Sequence, residues 1–162
     1  MKKTISPESA LARLEALCAR SEQCSADCLA KMKRWGLSDS ASRAILDDLV
    51  GRRFVDDIRF ARAYVRDKYL FARWGRRKIV AGLYAKRIPR DIINEALGEI
   101  DIRRYASVAF RQLAAKRRQL PADMPLFDAR RRLLAFGMAR GFETALVIKI
   151  LESTKLWDGS TD

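Results

Sequence analysis

The sequence predicts an all-α protein made of three tandem three-helix units, about nine helices in all, and three observations carry that prediction. The first is self-similarity. The stretches CLAKMKRWGLSDSASRAILDDL from Cys28, IVAGLYAKRIPRDIINEALGEI from Ile79 and LLAFGMARGFETALVIKILEST from Leu133 align without gaps, 51 and then 54 residues apart. The second is spacing. In that register Leu37, Ile88 and Phe142 coincide, as do Ala41, Ile92 and Leu146, then Ile45, Ala96 and Ile150, then Leu46, Leu97 and Leu151. Offsets of four, eight and nine trace one face of an α-helix. The third is punctuation: Gly36 and Gly141 stand just before the register point, with Arg87 at the equivalent place in the middle copy. A glycine there takes the left-handed conformation that ends a helix.

Each element then follows in order. The first unit spans residues 1–55 and opens with Ser6 as N-cap and Pro7 in the first turn, ahead of Ala10, Leu11, Leu14 and Leu17 at helical spacing. Its second helix holds Cys28 and Met32; Cys28 aligns with Ile79 and Leu133, so it is expected in the core. Ser38 or Ser40 caps its third helix. The second unit, residues 56–100, starts at Asp56 and runs through Phe60, Ala61 and Tyr64, with Phe71 expected on the same packing side. Pro89 suits the first position of its last helix. The third unit, residues 101–162, starts at Asp101 with Ile102, Tyr105, Val108 and Phe110. In its second helix Gly137 replaces the apolar residue of the other copies, which points to close helix packing or local weakness.

Asp56 and Asp57 read as helix-starting carboxylates. Such groups accept from free backbone N–H groups and meet the positive end of the helix dipole, together worth about 1 kcal/mol. A catalytic pair would need a pocket and opposed pKa values. Histidine is absent, and Cys18, Cys24 and Cys28 lack the spacing of a disulfide framework or a zinc site, so no cofactor or metal is expected. No phosphate loop or GxSxG-type nucleophile is present, which leaves an enzyme without a signature. The first twenty residues lack an apolar run of signal-peptide type and no stretch approaches a membrane span, so a monomeric cytoplasmic protein with no membrane partner is expected.

The net charge is +13, and it is unevenly placed. Residues 1–58 hold ten basic and nine acidic side chains, whereas residues 59–90 hold eleven basic residues against Asp67 alone. A second basic region follows at Arg103, Arg104, Arg111, Lys116 to Arg118 and Arg130 to Arg132. Such a field attracts nucleic acid or an acidic protein surface. The candidate contacts are Arg59, Arg62, Arg66, Arg73, Arg76, Arg77, Lys78, Lys86 and Arg87. Arg59, Arg62 and Arg66 share one side of their helix, and Arg76, Arg77 and Lys78 stand near a helix N-terminus, where the dipole disfavours cations. Trp35, Trp74 and Tyr84 are expected in core or inter-helix packing rather than as stacking platforms, and Trp157 is uninformative.

The stretch from Asp56 to Arg66, DDIRFARAYVR, followed by GRRKI at 75–79, Leu83 and KRI at 86–88, resembles the RecX family of RecA regulators, whose motif reads D-D-x-R-F-A and then G-x-x-[RK]-I-x-x-x-L-x-x-K-G-I. Two positions depart from it: Gly82 stands where an acidic residue is usual, and Arg87 replaces the usual glycine before Ile88. The resemblance implies an elongated crescent of tandem three-helix units that lodges in the groove of the RecA filament on DNA. There it would lower ATP hydrolysis and strand exchange and limit filament growth. It implies the RecA filament as partner, with single- or double-stranded DNA met through the basic surface. The competing reading is a sequence-independent DNA-binding protein, since three-helix units also resemble helix-turn-helix domains.

Overall fold

The structure, a computed structural model, describes residues 4–159. Among them are ten helices and no strand: α1 (Pro7–Arg20), α2 (Ser25–Arg34), α3 (Asp39–Gly51), α4 (Asp57–Leu70), α5 (Arg76–Ala85), α6 (Arg90–Gly98), α7 (Ile102–Arg118), α8 (Leu126–Ala139), α9 (Thr144–Glu152) and α10 (Thr154–Asp158). The tenth, beyond the nine expected, is a single short turn of helix around Trp157. It forms because the Trp157 indole N–H donates to the Leu151 carbonyl and Leu156 is buried. No helix among the described residues is long and apolar enough to cross a membrane.

The three opening helices start as their sequences dictate. Ser6 Oγ accepts from the Ser9 N–H at 3.2 Å, Asp56 Oδ1 from the Arg59 N–H at 3.0 Å and Asp101 Oδ1 from the Arg104 N–H at 2.7 Å. Ser38, not Ser40, caps α3 through the Ala41 N–H. Pro89 lies just before α6 rather than within its first turn, and its carbonyl accepts from the Ile93 N–H.

The turn between the second and third helices is the same in all three copies. The N–H of Leu37 donates to Met32 O at 3.1 Å, that of Ile88 to Leu83 O at 3.1 Å, and that of Phe142 to Gly137 O at 3.0 Å. Inside each loop a second bond runs from Gly36 to Lys33, from Arg87 to Tyr84 and from Gly141 to Met138. This paired pattern closes a helix only if the residue before the apolar one is left-handed. Gly36, Arg87 and Gly141 have φ of 85°, 56° and 90°. Arg87 therefore adopts a conformation that costs an L-residue roughly 1–2 kcal/mol, at the position where the other copies use glycine.

The chain divides into two compact units, residues 1–63 with 83–96 and residues 64–82 with 97–162, so that the middle repeat contributes to both. In the first, α1, α2 and α3 enclose Ala10, Leu14, Cys28, Met32, Leu37, Ile45, Leu49 and Val55, with Trp35 half-buried at the margin. Cys28 is in this core, as its alignment required, and burial pushes its thiol pKa up to about 12. Ser42 is buried too, in register with Ile93 and Val147; its polarity hid that position in the sequence.

In the second unit, α7, α8 and α9 pack around Tyr105, Leu113, Leu133, Phe142 and Val147. Gly137 is where α8 is approached most closely: a Cβ there would lie 2.8 Å from Val147 Cγ2. Of the two readings of that glycine, close packing holds. A second contact is tighter still. Gly75 N–H donates to Arg140 O at 2.8 Å and Arg77 N–H to Gly141 O at 3.0 Å, and a Cβ on Gly75 would sit 2.1 Å from the Gly141 carbonyl carbon. Gly82 has a comparable cause, because a Cβ would meet the Tyr64 hydroxyl at 2.1 Å. Phe71 departs from expectation: it lies beyond the end of α4 and is 78% exposed.

These contacts set two expected outcomes. Gly75→Ala forces backbone against backbone and should destabilise by about 3 kcal/mol or more, lowering the midpoint of chemical denaturation. Arg87→Gly removes the left-handed penalty and should raise that midpoint, by roughly 0.5–1 kcal/mol once the greater freedom of unfolded glycine is discounted. A loss of stability in the second variant would contradict the turn described above.

Candidate polyanion-binding surface

The paired aspartates that precede the basic segment serve two different helices. Asp56 caps α4, as above. Asp57 Oδ1 accepts from the Ser25 N–H at 2.8 Å, at the start of α2, whose own N-cap residue Cys24 offers no side-chain bond. Both carboxylates are thereby committed to helix starts, and among the described residues no group of three His, Cys, Asp or Glu side chains could hold a metal.

The candidate cations separate by what they touch. In the first unit, the Arg59 guanidinium meets Glu22 at 2.6 Å and donates to the carbonyls of Arg53 and Phe54, so it closes the end of α3 as well as pairing. Arg62 pairs with Glu95. Lys86 Nζ contacts Asp27 at 2.6 Å and lies 5.8 Å from the Phe60 ring centre, which ties the turn after α5 to α2. Burial raises the Asp27 carboxyl pKa, yet the Lys86 hydrogen bond and charge, with the Cys24 thiol, bring it below the ordinary carboxylate value. Arg87 has no acidic partner among the described residues, so its left-handed backbone carries an uncommitted guanidinium.

In the second unit, Arg76 is structural. Its N–H donates to the Tyr105 hydroxyl at 2.9 Å, its guanidinium meets Glu143 at 3.2 Å and stacks 4.3 Å over the Tyr105 ring, and Tyr105 donates to Glu143 at 2.7 Å. This half-buried clasp explains a cation at the N-terminus of α5 without any ligand. Trp74 lies between two ammonium groups, Lys68 at 4.6 Å and Lys78 at 4.5 Å. Arg66 has only a distant contact with its neighbour Asp67, at 3.9 Å. Arg73 and Arg77 are exposed with no acidic partner among the described residues. Tyr84 in the first unit is 49% exposed, contrary to the packing role expected of it. Trp157, in contrast, is covered by Arg117 and Arg130 at 5.5 and 5.8 Å.

Among the described residues the repeats thus present several exposed guanidinium groups with no acidic partner, while Asp56, Asp57 and Asp101 serve as helix caps. Comparison with known proteins narrows the reading. The family description "RecX, second three-helix domain" matches residues 56–97. The chain is 30% identical over 141 residues to the regulatory protein RecX of Mycobacterium bovis (strain BCG / Pasteur 1173P2), covering 85% of this chain and 80% of that protein. It is 29% identical over 129 residues to regulatory protein RecX of Mycobacterium sp. (strain KMS), covering 78% and 70%. A crystal structure of regulatory protein RecX superposes with a TM-score of 0.82 at 20% identity, covering 91% of this chain and 73% of that one. That of RecX from Lactobacillus salivarius gives 0.78 at 15% identity, covering 90% and 94%. The chain belongs to the RecX family of regulatory proteins.

Two further outcomes are expected. Asp57→Ala should destabilise by about 1 kcal/mol through the start of α2, with the lost protection appearing in amide exchange of Ser25 and its neighbours. For Asp27, whose folded pKa is depressed, the stabilisation is present above the ordinary carboxylate range and lost as pH falls through the lower folded value. Lys86→Met should therefore move the Asp27 carboxyl titration upward by NMR, and acid unfolding should begin at higher pH.

Proposed function

We propose that this protein inhibits the RecA recombinase by occupying the groove of the RecA–DNA filament, so that ATP hydrolysis, strand exchange and filament extension all fall. It acts as a cytoplasmic monomer, through steric and electrostatic occupation, with no bond made or broken. The observation that carries this reading is the excess of ten positive charges within residues 59–90 of a RecX-family chain, where Arg73, Arg77 and Arg87 have no acidic partner among the described residues. A repeated helical scaffold offers an extended surface for such contacts, and a field of one sign speeds encounter with a polyanionic filament.

The test is inhibition of RecA ATPase. Inhibition is expected at protein levels well below the recombinase, and it should persist when DNA is in excess. Charge reversal at both Arg77 and Arg87 should raise the half-inhibitory concentration about tenfold or more, equivalent to roughly 1.4 kcal/mol, with the melting temperature unchanged. Inhibition that disappears when free DNA is added would instead identify a DNA binder that acts by sequestering the strand.

A further inference from the structure

Within the second unit a cleft of about 280 Å³ is lined by Leu70, Arg73, Arg104, Ser107, Val108 and Arg111. We propose that this cleft holds the phosphodiester backbone of a nucleic-acid strand, with Arg73, Arg104 and Arg111 donating to phosphate oxygens and Ser107 completing the contact.

Its electrostatics are uncompensated. None of the lining residues is acidic, and none of the three guanidinium groups has an acidic partner among the described residues. Three like charges directed at one concavity repel one another in the free protein, and a fixed anion removes that repulsion. Nor does helix stability call for them. Arg104 lies in the first turn of α7, which holds no acidic residue, so its charge opposes the helix dipole. Arg73 keeps an arginine at a φ of 57°, where glycine would be unstrained.

The cleft is also built to keep its shape. The Arg140 guanidinium donates to the carbonyls of Ala72 and Arg73 at 2.8 and 3.4 Å and to the Gln112 side chain at 3.3 Å, which holds the 72–73 segment beside α7. Arg104, Ser107 and Arg111 fall at helical spacing on one face of α7. Arg104 and Arg111 are two turns apart, about 10 Å along the axis, so they engage separate anions of a repeating chain. An acidic protein surface fits less well, because the centres of protein interfaces are depleted of charge whereas the centre here is three guanidinium groups.

The inference deepens the reading above and rests on the DNA that the filament groove carries, so the deciding measurement omits the recombinase. Binding of a fluorescein-labelled 20-residue oligothymidylate is titrated across salt concentrations. The triple variant Arg73→Gly/Arg104→Ala/Arg111→Ala, with glycine chosen to accept the left-handed backbone, should lower the log–log salt slope by about 2, at roughly 0.7 per lost phosphate contact. Its affinity at low salt should fall at least tenfold. Arg34→Ala/Arg43→Ala/Arg132→Ala carries the same charge change outside the cleft and should leave the slope unchanged. If the triple variant unfolds, Arg104→Gln/Arg111→Gln gives the same readout with an expected slope change of about 1.4. Equal loss in the control variant, no loss in the cleft variant, or absence of oligonucleotide binding overturns the proposal. So does polyglutamate that displaces the oligonucleotide from wild type as well as unlabelled oligothymidylate does. RecA ATPase inhibition, read on the same variants, separates the two ideas: a wild type that binds through the cleft yet fails to inhibit refutes the filament reading alone.

Discussion

The left-handed turn between the second and third helix of each repeat is the constraint on which the architecture rests. It brings the apolar residue after the turn, Leu37, Ile88 or Phe142, back within hydrogen-bonding distance of a carbonyl five residues earlier. All three side chains are buried, and the turn satisfies carbonyls at the end of the helix before it. Without that reversal the apolar faces of paired helices would not converge, and units this small have no spare core to compensate.

On this scaffold the charged residues divide into two kinds. Arg59, Arg62, Arg76, Lys86 and Arg140 are consumed by the fold, each answering a carboxylate, a carbonyl or both. Arg73, Arg77, Arg87, Arg104 and Arg111 have no acidic partner among the described residues. Pairing removes one charge of each sign, so the net charge of +13 is carried by cations of the second kind. Exposed ion pairs of the first kind contribute little to stability individually, but they position helices whose ends would otherwise fray.

The repeat register, the caps at Ser6, Asp56 and Asp101, and the burial of Cys28 were legible in the sequence because each is local: a period, a turn residue, a carboxylate beside free N–H groups. What was not legible involves partners distant along the chain. Nothing near Asp57 announces Ser25, thirty-two residues away, and nothing near Arg76 announces Tyr105 and Glu143. The sign of a side chain is written in the sequence, whereas its internal satisfaction depends on tertiary contact. Phe71 and Tyr84 were misjudged for the same reason, since aromatic character promises burial only where a neighbouring element arrives to cover the ring. Arg87 is the instructive intermediate case, a departure from the motif whose φ shows that the backbone kept the glycine conformation while the side chain changed.

The bond from Asp57 to the Ser25 amide reaches from the opening of one repeat into the preceding one. A fragment ending at residue 55 would contain every residue of the first repeat and still leave α2 with an open amino end, because Cys24 supplies no substitute. The first repeat is thus a unit of pattern whose second helix takes a cap from the repeat that follows. A rearrangement that moved the first copy by itself would leave α2 without the cap that Asp57 supplies.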